Sequence, residues 1–315
     1  MASCILMQFP GTSDPTVTVI ATGGTIASTA DAQGARVPTL DGAALIAHSG
    51  TPIPTRVIDS TSLDSSSMRL ADIDELAGHI QEAFADPTTS GVVVTHGTDS
   101  MAETALALDV MLDDERPVVL TGAQLPADDP HADGPENLAG AIALAALPAQ
   151  QPGVQIHFGG MTLPARGALK RHTYEMQAFT SSATTPLSRP RPVGVHRLAG
   201  KNVVVIAAWP GAGRAEVDAI VATRPDGIVV AGLGAGNISA DMGRALGECL
   251  QAGIPVVVST QVPFGPVAFD YGGAGGGNTL GSLGALSAGY LSPGQARMAL
   301  TVALASGTDP AVLLA

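Results

Sequence analysis

Charged side chains are scarce in this chain of 315 residues. They make up 14 % of the sequence and leave a net charge of −13 at pH 7. A protein that binds nucleic acid or an anionic membrane needs clustered Lys and Arg, so we expect neither partner. The low charge and the many alanines also suit burial between subunits, so we expect a homo-oligomer. The hydrophobic fraction of 45 % can fill a substantial core, and the length suits two domains.

Cysteine and metal-ligand patterns are nearly absent as well. The two cysteines are Cys4, in the N-terminal tail, and Cys249, in a predicted helix. A lone pair of this kind is neither a disulfide framework nor a metal site. The seven histidines are scattered without the spacing of metal ligands. We therefore expect no metal and no cofactor.

The chain also lacks long apolar runs. No uninterrupted apolar stretch reaches the roughly 20 residues of a membrane span. The first residues, MASCILMQFPGTSDP, have no basic residue before a short apolar run and do not form a signal-peptide pattern. A cytoplasmic location is the resulting expectation.

Short β-branched runs alternate with longer segments rich in Ala and Leu. Continuous apolar runs of this kind are typical of parallel strands that are buried on both faces, and the alternation predicts βαβ units in an α/β fold. In the segment 70–85, apolar residues recur at spacings of three and four, which predicts a helix with one apolar face. The predicted strands are VTVIAT (17–22), GVVVTHG (91–97), PVVLTG (117–122), VQIHF (154–158), VVVIAAW (203–209), GIVVAGLG (227–234) and IPVVVST (254–260).

Two irregular stretches divide the pattern. Residues 183–200 carry three prolines and three arginines without periodicity, and we interpret them as an interdomain linker. This places a larger N-terminal α/β domain at 1–182 and a smaller C-terminal α/β domain at 201–315. The glycine-rich run at 271–284 has few side chains to pack, so we expect a mobile loop there.

Polar clusters follow three of the predicted strands. They are Thr22-Gly23-Gly24-Thr25, the segment from Thr95 to Ser100, and Thr121-Gly122-Ala123. In α/β sheets, function collects at loops just past the carboxyl ends of strands. Glycines expose backbone N–H groups there, and hydroxyls lie beside them. This layout suits acyl transfer, which needs a nucleophile, a base and backbone donors for an oxyanion.

Each cluster also has a plainer interpretation. TGGTIA lacks the full dinucleotide fingerprint and the lysine of a phosphate loop, so its glycines could serve only as a turn. His96 closes a strand, where a histidine is more often a packed core residue than a chemical participant. Thr98, Asp99 and Ser100 precede the helical run MAETALALDVML, so they could be helix caps, chemical groups or both.

The order of motifs resembles that of the bacterial asparaginase family, nearer its cytoplasmic branch. The resemblance runs through nearly the whole chain from residue 17, and the pairing of TGGTIA with HGTDS is highly specific. The motifs are TGGTIAS (22–28), LDSSSM (63–68), THGTDSMAET (95–104), VVLTGAQ (118–124), ADGPENL (132–138), Lys170, AGLGAGN (231–237) and LSPGQAR (291–297).

The resemblance implies a set of catalytic residues. Thr25 matches the family's first threonine, usually held to be the nucleophile. Thr98 matches the second threonine, and Asp99 and Lys170 complete its triad. A lysine that acts as a base needs a lowered pKa, which burial would supply. Lys170 is one of only two lysines in the chain, and a lysine is ordinarily a surface residue, so its catalytic assignment depends on the resemblance.

The resemblance also implies substrate contacts and an assembly. Ser65 matches the serine that binds the substrate α-carboxylate, Asp99 the group that pairs with its α-ammonium, and Asn237 an asparagine from a neighbouring subunit. The family fold has a larger N-terminal and a smaller C-terminal domain, assembled as dimers or tetramers. The implied binding residues are Gly24, Ser65, Ser66, Gly97, Ala123 and Asn237.

Two positions depart from the family pattern. The loop at 28–40 normally carries a tyrosine that activates the first threonine, and here Arg36 or a near neighbour stands in its place. We expect this loop to be mobile when the site is empty. The region of the cross-subunit glutamate is the glycine run around 272–277, which has no acid.

The resulting hypothesis is hydrolysis of L-asparagine to L-aspartate and ammonia through a threonine acyl-enzyme. Glutamine or a D-isomer stays open as substrate, because one methylene discriminates by only about 1–3 kcal/mol. A weakly catalytic amino-acid-binding relative is a second alternative, motivated by the missing tyrosine and glutamate. A third alternative is the amidase subunit of a tRNA-dependent amidotransferase, against which the acidic charge and the length count.

Overall fold

The structure is a computed structural model that describes residues 16–60, 64–149 and 152–315. Cys4, the N-terminal segment and Leu63 of the LDSSSM motif lie outside these residues. In chain order the strands are β1 Thr16–Ala21, β2 Ser28–Ala30, β3 Arg36–Pro38, β4 Thr55–Asp59, β5 Thr89–Thr95, β6 Val118–Thr121, β7 Val154–Phe158, β8 Met161–Pro164, β9 Ala168–Lys170, β10 Phe179–Ser181, β11 Val203–Ala207, β12 Gly227–Gly232, β13 Val256–Thr260 and β14 Leu286–Ser287.

The α-helices lie mostly between these strands, as the alternation predicts. In chain order they are α1 Gly42–Ser49, α2 Leu70–Ala85, α3 Met101–Met111, α4 Gly134–Ala145, α5 Arg214–Val221, α6 Ala240–Gln251, α7 Gly277–Ser282, α8 Pro293–Ser306 and α9 Pro310–Leu314.

The N-terminal half is built on a six-stranded sheet with the order β4-β1-β5-β6-β7-β8. Its neighbours pair in parallel except β7 and β8, which are antiparallel. The apolar runs explain the arrangement, because β1, β5 and β6 are buried along nearly their whole length between helices. The predicted α/β fold with a larger N-terminal parallel sheet is confirmed.

The C-terminal half carries a smaller parallel sheet of the order β11-β12-β13-β14. Its three longer strands are those predicted from the runs beginning at 203, 227 and 254, with bounds that differ by up to two residues. Helix α2 is confirmed at the predicted bounds, with Ile73, Leu76 and Ile80 buried on one face. Cys249 lies in α6, as expected.

Residues 183–200 contain no helix or strand, in line with their composition. They are nevertheless fixed to the N-terminal half. The Arg189 guanidinium donates to Asp109 Oδ1 at 2.8 Å and to the Leu112 carbonyl at 2.8 Å. Helix α8 of the C-terminal half packs on α3, and one cluster of buried side chains includes both helices. The segment therefore joins two halves that share a core, and the domain bounds at 182 and 201 stay a prediction.

The glycine-rich run is not simply a loop, so that prediction is wrong in part. It contains α7, and Gly275, Gly276 and Gly277 are buried. A Cβ atom at Gly277 would lie 2.6 Å from the Phe269 ring, and one at Gly275 would lie 2.1 Å from the carbonyl oxygen of Ile238. Glycine serves close packing here, which a composition rule for mobile loops does not detect.

Candidate active site

The first loop of the site leaves the carboxyl end of β1. The Thr22 hydroxyl donates to the carbonyl of Thr95 at 2.7 Å, which ties this loop to the end of the neighbouring strand β5. Gly24 follows with a φ of +85°, and a Cβ atom there would lie 2.7 Å from the backbone nitrogen of Gly97. Only glycine allows this contact, because a side chain would both strain φ and collide. Thr25 comes next and begins a single 3-10 turn, so the two glycine loops touch where each leads into a threonine.

The second loop connects β5 to α3 and meets a lysine from a distant segment. Lys170, the last residue of β9, places its ammonium group 2.8 Å from Thr98 Oγ1 and 2.8 Å from Asp99 Oδ1. Thr98 is buried, with 7 % of its surface exposed. One nitrogen thus joins a buried hydroxyl to a carboxylate, which is the arrangement needed to move a proton to or from that hydroxyl.

The three groups of this triad differ in exposure. The Asp99 side chain is 59 % exposed and that of Lys170 is 23 % exposed, so Lys170 is partly buried. The open face of Asp99 leaves its carboxylate accessible to a charged ligand, while the lysine reaches inward to Thr98. The structure brings Thr98, Asp99 and Lys170 together as the sequence predicts.

Ser65 lies beneath the second loop. It is 4 % exposed, and a Cβ atom on Gly97 would lie 2.4 Å from its hydroxyl oxygen. Its hydroxyl accepts the backbone N–H of Asp99 at 3.2 Å, and its carbonyl accepts the Ser100 hydroxyl at 2.7 Å. Ser66, in contrast, is exposed. Ser65 is therefore locked against the triad loop, whereas Ser66 faces solvent.

The residues before α3 do not cap it through their side chains. Ser100 is the N-cap residue, but no side-chain hydrogen bond caps the helix. Its hydroxyl bonds Ser65 instead, and the side chains of Thr98 and Asp99 bond Lys170. Ser100 therefore occupies the cap position only through its backbone, and the side chains of all three residues bond other parts of the site.

The third loop follows β6. Ala123 is 2 % exposed, and a Cβ atom at Gly122 would lie 2.3 Å from the carbonyl oxygen of His96, so this loop is pressed against the second one. The amide of Asn137 donates to the Gly122 carbonyl at 3.0 Å. Ala123 is thus held next to the triad loop, where the resemblance places a backbone contact to substrate.

His96 belongs to the core of this region. It is fully buried, its Nδ1 lies 2.7 Å from the Gly97 carbonyl oxygen, and its Nε2 has no hydrogen-bond partner among the described residues. Burial lowers the pKa of His96 to about 4. The imidazole is therefore neutral near pH 7 and supports the packed-core interpretation over a chemical one.

Asn237 lies apart from these loops. It follows β12 of the C-terminal sheet, where its backbone N–H and C=O both pair with Leu233 at 2.8 Å. In the described ranges, no hydrogen bond links it to the triad of the same chain. This position is compatible with a contact to another subunit, and such a contact remains a prediction.

The segment after Thr25 has more regular secondary structure than its composition suggests, while its mobility stays a prediction. Strands β2 and β3 form an antiparallel hairpin in which Arg36 pairs with Ala30. Arg36 is exposed. The segment 28–40, expected to be a loop, is thus largely a hairpin with the exposed Arg36 at the start of its second strand, and no tyrosine lies in it.

The roles of Gln124 and Ser100 in the site depend on partners that are distant in sequence. Gln124 donates through its amide to the carbonyls of Thr173 at 3.2 Å and Glu175 at 3.0 Å, and so holds the segment that follows Lys170. Ser100 supports Ser65. Both lie inside quoted motifs, VVLTGAQ and THGTDSMAET, but their partners are distant in sequence. No local pattern could assign these roles.

Comparison with known proteins identifies the family. Residues 16–200 match the model "Asparaginase, N-terminal", and residues 202–313 match the "Glutaminase/Asparaginase C-terminal domain". The chain belongs to the asparaginase family. The match to both models confirms the resemblance seen in the motifs and the two-part α/β architecture.

Individual relatives agree with this assignment. A probable L-asparaginase of Deinococcus radiodurans is 34 % identical, over 94 % of each chain. The crystal structure of a probable cytoplasmic L-asparaginase from Campylobacter jejuni superposes with a TM-score of 0.82 at 31 % identity, and the match covers 95 % of this chain and 98 % of that one. A glutamyl-tRNA(Gln) amidotransferase subunit of Haloquadratum walsbyi is 30 % identical, over 94 % of this chain but 73 % of its own length.

Proposed function

We propose that the protein is an L-asparaginase that converts L-asparagine and water to L-aspartate and ammonia through a threonine acyl-enzyme. The observation that carries this proposal is the position of Lys170, whose ammonium group lies 2.8 Å from both Thr98 Oγ1 and Asp99 Oδ1 in a chain of the asparaginase family. A threonine hydroxyl is a poor nucleophile at neutral pH and needs a proton acceptor. Thr98, which Lys170 contacts, lies on the loop that touches the Thr25 loop through Gly24 and Gly97. The Thr98–Lys170 pair is therefore the candidate acceptor for the proton of Thr25.

In the proposed reaction, Thr25 Oγ1 attacks the side-chain amide carbon of the substrate. The C–N bond breaks, and the leaving amine takes up the proton that Thr25 loses and departs as ammonia. Water then attacks the resulting β-aspartyl ester, which releases aspartate and returns a proton to Thr25. Thr98 and Lys170 together carry out the proton transfer that the family's loop tyrosine, absent from this chain, would otherwise perform. The close contact between Gly24 and Gly97 supports this division, because it brings the loops of the two threonines against each other.

The charged ends of the substrate have candidate partners on the same loops. The exposed carboxylate of Asp99 would pair with the α-ammonium group, and Ser65 and Ser66 would contact the α-carboxylate. The N–H groups of Gly24, Gly97 and Ala123 would face the substrate amide. Backbone donors aimed at a developing oxyanion are among the largest contributions to the rate of acyl transfer. No cofactor enters this scheme.

The proposal includes a homo-oligomer, a dimer or a tetramer, in which Asn237 of a neighbouring subunit completes the site. Asn237 lies in the C-terminal half without a bond to the triad of its own chain within the described residues, which supports a contact across subunits. No helix in the described ranges is long and apolar enough to cross a membrane. We propose a cytoplasmic location from the similarity to the Campylobacter protein.

The experiment that tests the substrate measures ammonia release by the purified protein from L-asparagine, D-asparagine and L-glutamine. We expect kcat/KM to be highest for L-asparagine, with glutamine lower by about 10-fold or more for the added methylene. A preference for glutamine or for the D-isomer would reassign the substrate within the family.

A second arm separates the alternatives from other classes. Similarity to a component of a glutamyl-tRNA(Gln) amidotransferase keeps open a role in transamidation of charged tRNA. Ammonia release from free L-asparagine without any partner protein supports the proposal. Tight binding of L-asparagine with no ammonia released would instead favour a binding protein that kept the fold.

A further inference from the structure

Gln295 is a fully buried amide on the C-terminal helix α8. Its Nε2 donates to the carbonyls of Ala102 at 3.1 Å and Ala165 at 2.7 Å, and its Oε1 accepts the N–H of Gly167 at 3.0 Å. Both amide hydrogens and the oxygen are therefore satisfied by the backbone of the N-terminal half. Such a network is costly to bury unless every member is paired, and this one is.

The three bonded backbone groups belong to the two segments that meet at the triad. Ala102 lies in the first turn of α3, four residues after Thr98. Ala165 and Gly167 form the turn before β9, and Gly167 precedes Lys170 by three residues. One side chain thus fixes the segment that carries the hydroxyl and the segment that carries the amine.

The elements around Gln295 are closely packed against one another. A Cβ atom at Gly294 would lie 2.2 Å from the Glu103 carboxylate, so α8 and the first turn of α3 are in close contact. Arg166, inside the same turn before β9, donates to the carbonyl of Leu313 at 3.0 Å and to a backbone oxygen of Ala315. The turn before the lysine is therefore tied to the C-terminal helices at two points.

We propose that Gln295 is a positioning residue, which holds Lys170 at hydrogen-bond distance from Thr98 by clamping the backbones that carry them. The inference rests on the proposed function, since it needs Lys170 to act in the chemistry. Gln295 touches no reacting atom. Its loss alters the distance between the two segments, and a misplacement of about 1 Å in a catalytic group can cost about 100-fold in rate.

The test replaces Gln295 by methionine, which has a similar length and no amide. The expected result is a kcat for L-asparagine about 10- to 100-fold lower, with KM within about 3-fold of the wild-type value, because the substrate contacts are left in place. Thr301→Val is the matched control. Thr301 is fully buried on the same helix, but within the described part of the chain its hydroxyl bonds only the carbonyl of Arg297 in that helix, at 2.7 Å. The Thr301→Val variant should keep the wild-type kcat even if its thermal unfolding midpoint falls.

Three variants separate failure of this inference from failure of the proposed function. A folded Gln295→Met with wild-type kcat, beside an inactive Lys170→Met, refutes the positioning role and leaves the proposed function standing. A fully active Lys170→Met refutes the triad itself and the inference with it. If Gln295→Met does not fold, Gln295→Asn takes its place. Its amide is one methylene too short to span the three partners, so a wild-type kcat in that variant also refutes the role.

Discussion

Replacing Lys170 by methionine removes the nitrogen between Thr98 and Asp99 while keeping a side chain of similar length. The cost to folding is small. In the ion pair, the Lys170 side chain is 23 % exposed and the Asp99 side chain is 59 % exposed. Ion pairs that are partly exposed contribute about 0–1 kcal/mol to the free energy of unfolding. The cost to turnover is large, because a positioned proton-transfer group contributes about 10²–10⁴ in rate. We therefore expect a folded protein whose kcat for L-asparagine is lower by that factor.

The sequence supplies a matched control for this experiment. Lys201 is the only other lysine in the chain and lies before β11, in the C-terminal half. Lys201→Met makes the same chemical change at a position outside the triad, and we expect it to keep wild-type kinetics. Steady-state ammonia release and a thermal melt of both variants complete the comparison. Near-normal turnover by a folded Lys170→Met protein would remove Lys170 from the mechanism.

The other predictions concern pH, the hairpin and assembly. Burial lowers the pKa of His96 to about 4 from an unfolded value near 6.5, so the unfolded state binds the extra proton first. The free energy of unfolding should then fall by up to about 3 kcal/mol as pH drops from about 6.5 to 4; denaturant titrations that show the same pH slope in His96→Gln would contradict this. Arg36→Ala should raise KM more than it lowers kcat, because a guanidinium stays protonated and can contribute binding but not base catalysis; a loss confined to kcat would show a chemical role. Analytical ultracentrifugation should show a dimer or larger species at micromolar concentration, and an active monomer would end the proposal of a shared site.

Periodicity and residue type are enough to predict most of the architecture. The buried runs that became β1, β5 and β6 are continuous and apolar, and α2 has a clear apolar face, so local pattern and tertiary packing agree there. The sequence does not predict the hairpin of β2 and β3, because three-residue strands are too short for an alternating pattern to appear. Composition does not predict helix α7, because its glycines fit against Phe269, a contact that exists only in the folded chain.

The site was predictable in its parts but not in its assembly. Polar clusters after strands pointed to Thr25, Thr98 and Asp99 from the chain itself. Lys170 is 72 residues from Thr98 in sequence, and only the family resemblance suggested that the two residues meet. The role of Gln295 cannot be predicted from the sequence, because it consists of hydrogen bonds to backbone atoms more than 100 residues away.

The most direct test of the proposed chemistry follows the products formed from L-asparagine with and without hydroxylamine. If the threonine ester forms, hydroxylamine competes with water for it. Ammonia release then continues while β-aspartyl hydroxamate appears at the expense of aspartate. This is the result that we predict for the wild-type protein. Ammonia and aspartate in unchanged amounts, with no hydroxamate, would show direct attack by water and contradict the acyl-enzyme, and no ammonia at all would contradict the proposed activity.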